Sequence, residues 1–524
     1  MNRKLWWRLG APLVVLVVAV CAVGCGGGGG SSGDSSGDGG ALIDGTTDSV
    51  TNIDPAGNYD YGSATVDALI FQHLLEAGPG TAKPHPVLAT ECEFQGGLTT
   101  YECGLRTDVK FHNGKTMTSE DVVWSFDRVN KIKDESGIYT LLSNLESVEA
   151  NGNDSVIFHL KAPQATWPSI LTTGAAQIVP KGEYPANKLK PNTSTHIGTG
   201  PYELTRYESG QQAVFKKFDD YWDDEAKNDS VIIRYYTKSS TMKLALEKQD
   251  IDMAFQSFTP TELKSLENDE NLTVHKGAGS TIRYLVLNVK MPPTNQLAVR
   301  KAIAYLMPRQ EIAQRVYNGA VKPLYSMVPQ GLNGHVDAFK EMYGAAPDKA
   351  KAQSALSGAG ISTPVNLTLW YTPTHYGDAS ADEFAEIQRS LNGSGLFKVT
   401  LKSAEWAQYS DALGTQYGAF QLGWFPDYVD GENYLLPFYD SNSNFTSNNY
   451  KSPAMDSLLK REQGTEEPAA RADVIGEAQD LAAKDVPIIP YWQGAMIAVA
   501  QENVEGIDDT LDPTFIMRFW LISK

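Results

Sequence analysis

The stretch Gly423-Trp424-Phe425-Pro426-Asp427-Tyr428-Val429-Asp430 sets two carboxylates among three large aromatics. Pro426 removes one backbone donor and fixes the local path. A carboxylate beside ring faces is what a site needs to hold an ammonium group, through a charge pair and cation–π contact. The same residues would also suit a surface loop with two solvated acids and a core tryptophan. Asp427 and Asp430, three apart, could in principle do acid–base work, but no partner nucleophile or base is visible. There is no H-E-x-x-H and no Walker loop, and outside the Gly/Ser-rich residues 26–40 no nucleophile elbow or dinucleotide fingerprint. The eight histidines are scattered, with none paired at metal-ligand spacing. Catalysis, a cofactor and a bound metal are therefore not expected.

A chain of 524 residues exceeds what one hydrophobic core usually supports, so two or three domains are expected. Its 42% hydrophobic content is that of a globular protein, and its formal charge of -19 argues against nucleic acid as a partner. Arg3, Lys4 and Arg8 precede a short apolar run from Ala11 to Val23, too short to span a bilayer comfortably, which predicts a signal peptide. It ends in Ala22-Val23-Gly24-Cys25, similar to a bacterial lipoprotein box, with Ala22 where Leu is usual. Cys25 is then the lipidated first residue of the mature chain. Residues 26–45 read as a flexible tether, and the 15 residues Gly26 to Gly40 have a reach of roughly 20 Å.

Two cysteines remain in the body. Cys92 and Cys103 flank a segment centred on Gly96-Gly97, a hairpin signal. In an extracytoplasmic chain the pair is expected to form a disulfide stapling that hairpin, since a metal site would need further ligands nearby.

Several elements would position the aromatic-acidic stretch. Val66, Leu69, Ile70 and Leu74 recur at helical spacing. Leu105, Val109 and Phe111 read as a strand closed by the Asn113-Gly114 turn, and Thr118-Ser119-Glu120-Asp121 has capping-box spacing before an apolar helix. Strand patterns at Val365–Leu369 and Phe397–Leu401 flank a helical pattern at Glu383–Leu391, a βαβ unit with parallel pairing. Residues 455–483 are predicted largely helical, and Val486 to Trp492 a buried strand. From the residues alone this is a multidomain α/β protein.

The run from Leu105 to Phe126 (LRTDVKFHNGKTMTSEDVVWSF) resembles the signature of the extracellular solute-binding proteins of the peptide/nickel (oligopeptide/dipeptide) ABC-importer family, with Ser119 in place of the commoner Ala. Gly198-Thr199-Gly200-Pro201-Tyr202 and the segment Leu285–Tyr305 are similar to further family elements, although Pro308 stands where the family usually has Asp. The resemblance covers roughly residues 50 to 505. It implies a two-lobe α/β fold of the periplasmic-binding-protein type (type II, large peptide-binding class). Two strands cross between the lobes near 277–285 and 489–493, and an extra subdomain lies in the first lobe. The corresponding boundaries are 46–75, 198–283 and 490–524 for lobe I, 76–197 for the inserted subdomain and 284–489 for lobe II.

By the same resemblance the protein would be a non-enzymatic, monomeric, lipid-anchored receptor. It would capture a peptide or peptide-like solute and pass it to ABC permease subunits in the membrane. Asp427 would pair with the solute's amino group, with Gly423, Trp424 and Phe425 as neighbours and Trp406, Tyr491 and Trp492 as further lining candidates. Asp430 matches an Asp usually followed by Pro, here Gly431. No Arg or Lys is marked as partner for a solute carboxylate. A metal-chelate or haem receptor on the same fold and an extracytoplasmic hydrolase are the alternatives.

Overall fold

Residues 40–524, apart from 79–82, 136, 257, 378 and 444, are described by a computed structural model. The expected signal segment, the expected lipidation site at Cys25 and most of the expected tether lie outside the described residues. The tether's expected end at residue 45 needs correction. Ala41–Thr46 is a strand, paired in parallel with Ser230–Tyr235 and Met253–Phe255. Its short apolar run, Leu42-Ile43, suffices because neighbours on both sides supply the ladder.

A single eleven-stranded sheet runs through the molecule. In order it comprises Phe397–Ser403, Val365–Tyr371, Ala419–Trp424, Leu272–Leu287, Ile488–Gln501, Met253–Phe255, Ala41–Thr46, Ser230–Tyr235, Gln212–Lys217 and Tyr202–Glu208, with Val321–Pro323 paired to Ile488–Gln501. By the expected boundaries the first strands of this order belong to lobe II and the last ones to lobe I. The two longest strands, outgoing Leu272–Leu287 and return Ile488–Gln501, contain the stretches 277–285 and 489–493 where the crossings are expected.

The two long strands pair antiparallel in two stretches, Leu272–Ala278 against Ala495–Gln501 and Ile282–Val286 against Ile488–Gln493, with a register break between Ala278 and Ile282. Such irregularities locally bend and twist a ladder. The backbones come so close here that a Cβ on Gly279 would sit 2.6 Å from the Gly494 carbonyl oxygen. A side chain cannot be accommodated without moving backbone, so glycine is required by packing. The amide of Gln493 donates to the Gly279 carbonyl at 2.7 Å.

Period-two alternation sorts lobe II into two cores on opposite faces of the sheet. Ile282, Tyr284 and Val286 enter one, with Phe420, Leu422 and Trp424. Leu285 and Leu287 enter the other, with Leu367, Leu369, Val399 and Tyr491. Val365–Tyr371 and Phe397–Ser403 are parallel, and helix Ala379–Gly393 connects them. The largely helical stretch near the C-terminus is two helices, Pro453–Gln463 and Pro468–Asp485.

Between the first strand and the rest of lobe I, a second sheet has the order Ala89–Phe94, Thr100–Leu105, Ser155–Leu160, Leu145–Ala150. Helix Ser119–Ile132 packs on it, contributing Val122, Phe126 and Val129 to a core with Phe158 and Trp167. The helix starts where its capping box predicts, with the Thr118 amide donating to the Asp121 carboxylate at 2.9 Å.

In this sheet Cys92 lies directly opposite Cys103, and the two form a disulfide. A crosslink closing so short a loop contributes roughly 3 kcal/mol by restricting the unfolded chain. Both thiols are expected to resist alkylation until reduced, as mass spectrometry after iodoacetamide treatment would read. Rapid labelling without reductant would contradict the crosslink. No helix among the described residues is long and apolar enough to cross a membrane.

Candidate functional site

Strand Ala419–Trp424 pairs antiparallel with the outgoing strand, and the aromatic-acidic stretch leaves its end at the junction of the lobes. Trp424 is buried against Phe438 and Phe445, edge to face at 5.3 and 4.9 Å. Phe425 points the other way. It is 54% exposed and its ring meets Phe515 of lobe I, centroids 5.7 Å apart.

Asp427 is held by three contacts. Its amide donates to the Asn433 side-chain oxygen at 2.9 Å, and the Asn433 Nδ2 donates back to Asp427 Oδ2 at 3.2 Å. The third comes from lobe I, where the Tyr59 hydroxyl donates to Asp427 Oδ1 at 2.7 Å. The indole Nε1 of Trp424 also donates to the Asn433 oxygen, at 3.0 Å. Asn433 thus fixes acid and tryptophan together. Burial raises the Asp427 pKa above the ordinary range, although the Tyr59 and Asn433 hydrogen bonds pull it down. Two neutral donors leave the carboxylate with spare acceptor capacity and, among the described residues, no cationic partner. An ammonium group would complete it.

The loop beyond is tied to lobe I and to the crossing strands. Tyr434 donates from its hydroxyl to the Ser280 carbonyl, inside the register break, at 2.7 Å. The Tyr428 ring packs into the core of the inserted subdomain. The Ala165 amide of that subdomain donates to the Gln463 carbonyl of lobe II at 2.9 Å.

Asp430 has a different task from Asp427. Arg471 grips it with two guanidinium bonds of 2.8 and 2.6 Å, and Arg471 Nε donates to Glu462 at 2.5 Å. Glu432 lies alongside, accepting from the Tyr428 hydroxyl at 2.7 Å and the Gln463 amide at 2.9 Å. Burial, with the Glu432 carboxylate behind it, pushes Glu462 up to about 8 against the pull of Arg471. The two carboxylates of the sequence stretch are therefore divided, one for the junction and one for internal bracing.

A second polar cluster was not visible in the sequence. Glu383, fully buried, accepts four hydrogen bonds: from Tyr317, from Trp492 Nε1 at 2.8 Å, from Gln421 at 2.8 Å and from Tyr491 at 2.6 Å. Tyr491 and Trp492, lining candidates in the sequence, are buried here and serve to hold this carboxylate. Arg283 lies close by, with its guanidinium 3.9 Å over the Tyr376 ring and 5.0 Å from the Trp492 ring. Gly423 faces Arg283 across the ladder, and a Cβ there would fall 2.1 Å from the guanidinium Nη1. Gly423 thus makes room for Arg283. Trp406 stacks on His375, centroids 3.8 Å apart, and burial together with the Arg283 cation lowers the His375 pKa to about 4.

The structure brings Asp427, Trp424 and Phe425 to the lobe junction, and Gly423, Tyr491 and Trp492 to the Arg283–Glu383 cluster. Tyr59, Asn433, Arg283 and Glu383 are the additions. The signal for Arg283 was a lone charge in the otherwise apolar run Ile282–Leu287; the others left none, being far from the motif or unremarkable in type. Among the described residues, no group of three or more His, Cys, Asp or Glu could hold a metal ion.

Comparison with known proteins places these features in context. The model of the bacterial extracellular solute-binding proteins, family 5, matches residues 83–446. Di/tripeptide-binding protein 1 of Pseudomonas aeruginosa is 27% identical over 486 residues, covering 87% of this chain and 88% of the relative. The dipeptide-binding protein of Escherichia coli is 24% identical, covering 83% and 86%. Among solved structures, the periplasmic binding protein DppA of Helicobacter pylori, in complex with the peptide STSA, superposes with a TM-score of 0.75 at 23% identity, covering 93% of this chain and 98% of its own. The substrate-binding protein CtaP of Listeria monocytogenes superposes with a TM-score of 0.81 at 21% identity, covering 93% and 99%.

Proposed function

Because the chain belongs to the bacterial extracellular solute-binding proteins of family 5, we propose that it captures a peptide or peptide-like solute between its two lobes and delivers it to an ABC permease. The observation that carries this reading is Asp427, a carboxylate with a raised pKa at the lobe junction, bonded across it by Tyr59. The names of the relatives support the solute class, since both curated ones bind short peptides by name. An amino group at Asp427 meets a charge already braced by Asn433, so little reorganisation accompanies binding. The Tyr59 contact links that charge to lobe I. A solute that binds the closed arrangement better than the open one shifts the population toward closure, and closure is what a permease can recognise. No bond of the solute is altered in this scheme, and the protein acts as a monomer.

Native mass spectrometry of the gently purified protein tests the reading. Co-purifying peptides are expected as discrete mass increments that disappear on denaturation. Increments matching metal chelates or haem, or hydrolysis of added peptides, would overturn it.

The N-terminal segment adds an anchor to the proposal. Cys25 carries the lipid, and the chain works in the aqueous space beside the membrane. The Cys25→Ser variant is expected to leave the detergent phase and appear in the soluble fraction on Triton X-114 partition. Retention of the variant in the detergent phase would contradict lipidation at this residue.

A further inference from the structure

Tyr428 follows Asp427 directly in the chain, yet its ring belongs to a core built elsewhere. It is 7% exposed and packs among residues of the second sheet and its helix. Among the described residues, it is the one buried member of that core from outside residues 56–178. A ring seated in this way ties two distant parts of the chain together, because withdrawing it exposes the aromatic face and leaves a cavity behind.

The polar end of the same side chain is held from the other direction. Its hydroxyl donates to Glu432 Oε2 at 2.7 Å, and the Gln463 amide donates to Glu432 Oε1 at 2.9 Å. The Gln463 carbonyl in turn accepts from the Ala165 amide at 2.9 Å. Ala165 stands two residues before Trp167, a fully buried member of the core that receives the ring. Ring and Gln463 therefore reach the same unit by separate routes, and the fully buried Glu432 joins them. Adjacent rungs brace this arrangement against the solute acid: Asp427 to Asn433, and Tyr428 to Glu432. A displacement of Asp427 is carried to Tyr428 through them.

We propose that Tyr428 is the positioning residue that couples solute capture to the inserted subdomain. Lobe II closes onto that subdomain as well as onto lobe I, with the Tyr428 ring seated in its core and the Ala165–Gln463 bond made. Both contacts are released when the solute leaves. The inference rests on the capture reading above and goes beyond it, giving the inserted subdomain a part in retaining the solute. Tyr428 acts through its neighbour Asp427 and not on the solute.

The test joins the contact covalently. Ala165→Cys/Gln463→Cys, in the intact mature chain, places two thiols where the backbones already meet, and dibromobimane links thiols at that range. The protein is loaded with an isotopically labelled di- to pentapeptide library, and release into excess unlabelled library is followed by native mass spectrometry. The crosslinked protein is expected to release labelled peptide at least about tenfold more slowly than the two single-cysteine variants treated alike. Tyr428→Ala should do the reverse, speeding release about tenfold, and Tyr428→Phe, which keeps the ring and loses the Glu432 bond, should fall between.

Release from the crosslinked protein at the rate of the single-cysteine controls would show that the contact stays shut throughout the solute cycle, and would overturn the inference. Failure of the two cysteines to crosslink would do the same. A lower Tm in Tyr428→Ala with unchanged release would make Tyr428 a packing residue only. If no peptide binds, the capture reading itself falls, and hydrogen exchange of the solute-free protein decides the inference separately. Faster deuterium uptake at the Ala165 amide in Tyr428→Ala, with helix Ser119–Ile132 unchanged, would sustain it. Equal uptake at Ala165, or faster uptake throughout that helix, would overturn it.

Discussion

Asp427→Ala should weaken binding of free-amine peptides by roughly 100-fold, about 3 kcal/mol, while N-acetylated peptides lose little. The asymmetry follows from the chemistry of the pair. Removing the carboxylate leaves a solute ammonium desolvated at the junction with no counter-charge, whereas an acetylated terminus brings no charge to strand. Asn433 and Tyr59 add neutral bonds to the acid but cannot replace its charge. Titration calorimetry on matched free and acetylated peptides reads the difference, and equal losses for both would remove Asp427 from this role. The raised pKa adds a pH signature. A protonated acid cannot pair with ammonium, so affinity falls as pH drops through that raised value, starting above the ordinary aspartate range. Asp427→Ala should abolish the fall.

The second large effect is on stability. Arg471→Met should cost about 3–5 kcal/mol, because it leaves Asp430 and Glu462 buried without their cation and with Glu432 beside them. For a unit the size of lobe II that corresponds to a fall in Tm of roughly 10 °C. A fall of less than about 2 °C would show that the network contributes little.

Glu462 makes the same network pH-dependent. Its folded pKa, about 8, lies above that of an unfolded glutamate, so between the two values the folded state keeps a proton that the unfolded chain releases. Stability contributed by that proton is present at low pH and is lost as pH rises from about 4.5 to 8, levelling off above. Glu462→Gln, which has no proton to lose, should flatten this decline in a Tm-versus-pH series. An unchanged slope would assign it to other groups.

Elements whose signals are local were legible. The capping box at Thr118 and Asp121 starts a helix where its spacing predicts, because both partners lie within one turn. Alternation at Val365–Leu369 and Phe397–Leu401 reads as strands, because period two is a property of the strand itself. The strand Ala41–Thr46 overlaps the expected tether up to residue 45 and is not legible locally, because four of its residues are polar or small and its ladder comes from residues near 230 and 253.

The chain by itself determined the α/β class and, through the resemblance, which acid to watch. Only tertiary structure decided how the charges are shared. It gave Asp430 to Arg471 and left Asp427 with neutral partners. It buried Tyr491 and Trp492 against Glu383, and opened space at Gly423 for Arg283. The reason is physical. A carboxylate's role depends on which donors and cations reach it within about 3 Å. Here the deciding ones come from residues tens to hundreds of positions away, as Arg471 is from Asp430 and Tyr59 from Asp427. Residue type states what a group can do, and the fold decides which partner is close enough to make it do so.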